Sequence, residues 1–316
     1  MLKAYRPAPD YTLAIMADAE RQLAVEGAQR LRAAASAVLA GLFFFGGQLW
    51  VTAIGAKELS IGVLQGLQPA FNGQAAARID PRTVHEQFLV NHQAPLLVAF
   101  AISAIGTLAM IVPLRYLVAA EQSRSPAPSA ISSYLALYGP ILLAVFLPAF
   151  EISLILGAHS YLSHTARDAA AITAATGGGV RIAFQLLLTL GTLSIAVAFI
   201  MTSLRSMRVG LLTRMMGTVG IISGVLFLIP LTPLPVVQAL WLVFFGAMLL
   251  QFGGRPLPEA WTSGEARPWP PRQPSRPARP PARGLRRGSA ASPAVPAPAA
   301  PRGPSPSASK KRKRRR

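Results

Sequence analysis

The chain has 316 residues, of which 52% are hydrophobic and only 14% charged, and it contains no cysteine. Soluble domains carry about 25% charged residues, so the deficit argues against a soluble class. The missing thiols exclude disulfides, a cysteine-ligated zinc and a thiol nucleophile. The net charge of +19 is concentrated: residues 254–316 hold 16 Lys/Arg against 2 Glu, and the remainder carries +5.

Residues 1–32 are polar to amphipathic, with Arg21, Arg30 and Arg32 near the first apolar run. Leu13, Met16, Leu23, Ala24 and Leu31 would share one side of a helix, which suits either a helix lying along lipid headgroups or a solvated lead-in. Six apolar runs nearly free of charge follow, at about 33–55, 94–114, 135–158, 182–204, 215–231 and 236–252. An α-helix needs about 20 apolar residues to cross roughly 30 Å of hydrocarbon. The pattern therefore predicts an all-α polytopic membrane bundle of six transmembrane helices within residues 33–253. The first run is too long for the apolar region of a secretory leader, so it is read as a retained span. Residues 56–93 are expected as the longest loop, and a turn with Pro233 and Pro235 joins the last two spans. Residues 254–316 contain 15 prolines and end in Lys310, Lys311, Arg312, Lys313, Arg314, Arg315 and Arg316. Such a segment buries too little apolar area to offset its ordering entropy and is expected to be a disordered basic tail.

Orientation follows from Lys/Arg placement, because cytoplasmic loops next to spans retain positive charge. With both termini inside, the tail set aside, ten Lys/Arg lie inside and five outside. Arg205, Arg208 and Arg214, with no acid between two closely spaced helices, weigh most.

Glu151 is the one acid within the six runs. A carboxylate at that depth costs at least about 2.5 kcal/mol on insertion scales, so it turns toward protein or a cavity. Pro148 should free the Ala144 carbonyl and bend the helix beside it. Gln48, Gln185 and Arg181 fall in the same outer half of the proposed topology. Together the four form either an outward-facing polar vestibule for an ion, proton or small solute, or a hydrogen-bonded packing cluster in which Gln48 or Arg181 caps Glu151. His85, His92, His159 and His164 also fall outside, but their spacing fits no metal motif, and no cofactor site is read. Gly220 and Gly224 form a small-xxx-small pattern suited to close packing against the fourth or sixth span, or to a dimer seam. Gly177–Gly179 lack the residues of a phosphate loop.

Each basic residue near an anionic leaflet contributes about 1 kcal/mol, so Lys310–Arg316 suit anionic phospholipid headgroups. Trp261 and Trp269 are expected at the headgroups. No aromatic follows Trp269, so the stacking platform of a single-strand binder is missing and nucleic acid ranks behind lipid.

The basic turn Arg208-Val-Gly-Leu-Leu-Thr-Arg214, two closing spans, and the Pro/Trp segment Arg255-Pro-Leu-Pro-Glu-Ala-Trp261 through Trp269-Pro270 resemble a bacterial six-span integral membrane protein family of unknown function. The resemblance covers about a fifth of the chain. It implies an inner-membrane protein and no catalytic residues. The expected function is non-enzymatic: organising or sensing at the bilayer, with a polybasic tail for anionic lipid or acidic partners. The alternative is a small transporter or channel-like protein built on Glu151. Oligomeric state is not legible.

Overall fold

The computed structural model describes residues 9–58, 81–125, 129–164, 178–229 and 231–269, and every regular element among them is helical. In chain order these are α1 (Pro9–Gly55), α2 (Pro81–Asn91), α3 (Gln93–Ala109), α4 (Ile111–Gln122), α5 (Ala130–Ser163), α6 (Gly179–Arg208), α7 (Arg214–Leu228), α8 (Val236–Leu249), a 3-10 turn (Phe252–Gly254) and α9 (Glu259–Ser263).

The lead-in and the first apolar run form one 47-residue helix, α1, with no separate headgroup helix. Residues 17–34 are mostly Ala, Glu, Arg, Gln and Leu, strong helix formers without a proline, so nothing interrupts the helix where polar gives way to apolar. The expected long loop contains α2. α3 and α4 form one apolar stretch interrupted at Met110. Pro113 has no N–H for the Ala109 carbonyl, and Ser36 Oγ of α1 donates to that oxygen instead, at 2.7 Å. Pro140 and Pro148 both lie inside α5, which runs through them.

Four stretches are long and apolar enough to cross a membrane and mark the chain as a membrane protein: Glu20–Gly55, Gln93–Gln122, Ala130–Ser163 and Gly179–Arg208. The fifth and sixth apolar runs are shorter as helices, with 15 residues in α7 and 14 in α8. That corresponds to about 22 Å and 21 Å of helix. Thr213 caps α7 by accepting the Met216 N–H at 3.2 Å. The other end stops because a residue before proline is disfavoured in the α region: Ile229 has φ −122° and ψ 85°. Beyond α8 the backbone reverses through Gln251 at φ 55° and Gly253 at φ 78°.

α1 packs on α3, α4 and α8; α5 on α2, α3, α4 and α6; α7 lies between α6 and α8. Close approach rests on small residues. A Cβ on Gly191 would lie 2.8 Å from the Leu143 backbone nitrogen, and one on Gly139 2.8 Å from that of Ile195. The Gly220–Gly224 face meets Ser203, Ile200 and Ala196 of α6, so its packing partner is intramolecular. Phe199 of α6 packs tilted against Trp241 of α8 with centroids 5.1 Å apart, and Trp241 stacks on Phe245 of α8 at 5.4 Å. Trp241 Nε1 donates to the Met216 carbonyl of α7 at 2.9 Å. The antiparallel run of α1 against α3 and α4 brings Glu26 to Arg124 and Gln48 to Ser103. The bundle thus has a basic end, with Arg124 and Arg205–Arg214, and an opposite end bearing the four histidines.

Candidate functional site

Glu151 lies on α5, half-buried, and makes no hydrogen bond or ion pair among the described residues. His85 of α2 is close enough to act on it electrostatically. His85 Nδ1 in turn donates to Glu58 Oε1 at 2.6 Å. α2 rests on the C-terminal part of α5, where Thr83 Oγ1 and the Tyr161 hydroxyl are 3.3 Å apart and the Arg82 guanidinium covers the Tyr161 ring. The group facing Glu151 therefore comes from a segment expected to be loop.

The four residues grouped by depth are divided among helices. Arg181, on α6, sits over the Phe150 ring at 5.9 Å, one residue from Glu151 in sequence. Gln185 is exposed on α6, and its carbonyl accepts from Thr189 Oγ1 at 2.8 Å. Gln48 lies on α1, where its Nε2 donates to Ser103 Oγ at 3.2 Å. Because α1 packs on α3, α4 and α8 and Glu151 sits on α5, Gln48 and Glu151 occupy different helix interfaces. Three of the histidines have local partners. His92 Nδ1 donates to the Phe88 carbonyl at 3.0 Å, His159 Nε2 to Gln93 Oε1 at 3.1 Å, and His164 Nδ1 to the Ser160 carbonyl at 2.7 Å. Among the described residues no three His, Asp or Glu stand close enough to hold a metal ion. Lys310–Arg316 lie outside the described residues.

The most extensive polar construction is at the basic end, and local sequence patterns give no hint of it. Arg124 is fully buried and clamps Glu26 through two bonds, Nη1–Oε1 at 2.7 Å and Nη2–Oε2 at 2.8 Å. Its Nε donates to the Ala260 carbonyl at 2.9 Å and Nη1 to that of Ala120 at 2.7 Å. The guanidinium also covers the Trp261 ring, which stacks on Tyr116 with centroids 5.4 Å apart. Trp261 Nε1 donates to the Leu211 carbonyl, Trp269 Nε1 to that of Leu212, and the Arg267 N–H to that of Val209, each at 2.9 Å.

This corrects the expected tail boundary. Residues 255–269 are not a disordered start to the tail but a strap across the 209–214 turn, and Trp261 is buried in protein instead of lying at headgroups. The physical reason is that the turn offers the carbonyls of Val209, Leu211 and Leu212, which two indoles and one amide satisfy while Trp261 and Leu257 bury apolar area. A second buried pair lies next to it. Glu121 Oε1 faces Arg205 Nη1 at 3.5 Å, and Glu121 Oε2 is buried without a partner among the described residues, as are the hydroxyls of Ser132, Thr202, Ser203 and Ser206.

No family model, no curated protein and no solved structure matches this chain.

Proposed function

We propose that this is a non-enzymatic bacterial inner-membrane protein of six spans, the α7–α8 hairpin supplying the last two, that organises or senses at the bilayer by presenting a polybasic segment to anionic phospholipid. One observation carries it. Exposed Arg32, Arg115, Arg208 and Arg214 crown the end of the bundle at which Trp269 is bonded to the 209–214 turn. After Trp269 the sequence runs on to Lys310–Arg316. Such an end, with both described chain ends on the same side, supports a cytoplasmic face by the positive-inside tendency. The resemblance of residues 208–270 to bacterial six-span proteins points the same way. Attraction to anionic headgroups acts within a Debye length, about 8 Å at physiological salt. The transporter alternative gains less support, because Gln48 and Glu151 belong to separate interfaces.

The test uses full-length protein in phosphatidylcholine vesicles mixed with a second vesicle population. Vesicles containing phosphatidylglycerol should be tethered and pure phosphatidylcholine vesicles should not. Tethering should fall steeply with salt and vanish on deletion of Lys310–Arg316. Equal tethering of neutral vesicles, or RNA displacing the anionic vesicles at low concentration, would overturn the lipid assignment. Orientation is checked separately with lone cysteines in this cysteine-free chain. Ser163→Cys should react with an impermeant thiol reagent from outside, and Thr262→Cys should not.

A further inference from the structure

The turn between α7 and α8 borders a cavity of about 150 Å³ lined by, among others, Phe44, Gln48, Phe227, Thr232, Pro235 and Gln238. No charged residue lines it among the described residues. An ionic occupant would find no countercharge there, so the fitting occupant is uncharged. One wall is aromatic, with the Phe44 and Phe227 rings 5.9 Å apart. The polar groups are specific. Gln238 is only 5% exposed, and its carboxamide has no hydrogen-bond partner among the described residues. Gln48 spends its Nε2 on Ser103, which leaves Oε1 as an acceptor. A ligand hydroxyl reaching the Gln238 carboxamide would gain a hydrogen bond of about 0.5–1.5 kcal/mol. A volume of about 150 Å³ holds a benzene-sized ring.

We propose that this cavity binds a small uncharged amphiphile of the phenol class, with its ring against Phe44 and Phe227 and its hydroxyl hydrogen-bonded to the Gln238 carboxamide. The site is separate from the basic end and stands or falls independently of the lipid-tethering function.

The experiment is 19F NMR on the full-length protein in a neutral detergent, titrated with 4-fluorophenol or with 4-fluorotoluene, which has the same ring and no hydroxyl. Saturable binding of the phenol is expected, tighter than that of the toluene, and weakened about tenfold in Gln238→Leu, the equivalent of one hydrogen bond. The Gln238→Leu protein in the same micelles also controls for partitioning. Should that variant melt early, Gln48→Leu provides the same comparison from the opposite wall. Displacement of the phenol by dioleoylglycerol would assign the native hydroxyl to a lipid, and its persistence would assign it to a dissolved solute; both outcomes support the neutral-hydroxyl chemistry. Equal affinity for phenol and toluene, phenol binding unchanged in both variants, or no saturable binding would overturn it.

Discussion

The two ends of the bundle use ionisable groups in opposite ways. At the basic end, Arg124 is buried and its guanidinium is committed to Glu26, Ala120 and Ala260. At the histidine end, the pair between His85 and Glu58 leaves the two side chains 50% and 33% exposed. The difference teaches where the fold is held by charge. Removing one partner of a buried pair leaves an uncompensated charge and costs about 3–5 kcal/mol, whereas an exposed pair contributes about 0–1 kcal/mol. Distances alone would rank the ends the other way, since the His85–Glu58 contact is 2.6 Å and the Arg124–Glu26 contacts are slightly longer.

The largest effect should come from Arg124→Met, which strands the Glu26 carboxylate and frees the Ala260 carbonyl. A loss of about 3–5 kcal/mol is expected, read as a lowered melting temperature in detergent. Adding Glu26→Gln should recover part of it, and a double variant no better than the single would break the clamp interpretation. Trp261→Ala should cost about 3 kcal/mol through lost packing on Tyr116 and the unmet Leu211 carbonyl. Its sharper signature is proteolytic: residues 255–269 should become cleavable while α1–α8 stay protected. Gly224→Val tests packing away from both ends, because even a Cβ there would lie 2.7 Å from the Ala196 carbonyl oxygen. Overpacking of that kind should cost about 1–3 kcal/mol. An unchanged melt would mean that α7 and α6 are not in the described contact. The smallest effect belongs to Glu58→Gln, below about 1 kcal/mol. A loss comparable to that of Arg124→Met would erase the contrast between the ends.

The all-helical membrane class was legible because it depends only on composition and run length. Helix ends were partly legible: the stop before Pro230 follows from a local steric rule, and both last helices end short of their apolar runs, α7 at that proline and α8 ahead of Gln251 at positive φ. The clamp was invisible. Glu26 and Arg124 lie 98 positions apart, and no spacing rule connects them. The strap was disguised by proline content, which signals disorder unless an indole finds a carbonyl to bond. Depth along a span can be read from sequence, but direction around the bundle cannot. That is why Gln48 and Glu151 share a predicted layer yet sit in different interfaces, and why the electrostatic reach of His85 to Glu151 was missed.

The shortness of α7 and α8 has a consequence for the surrounding membrane. If the α7–α8 hairpin crosses the membrane as proposed, its roughly 21–22 Å of helix in hydrocarbon of about 30 Å would leave a hydrophobic mismatch on its flank of the molecule. Lipids there must thin, tilt or let water in, at a cost of fractions of a kcal/mol per Å. The protein would therefore carry an asymmetric dent with it, drawn to thinner membrane patches and to other proteins whose edges deform the bilayer in the same sense.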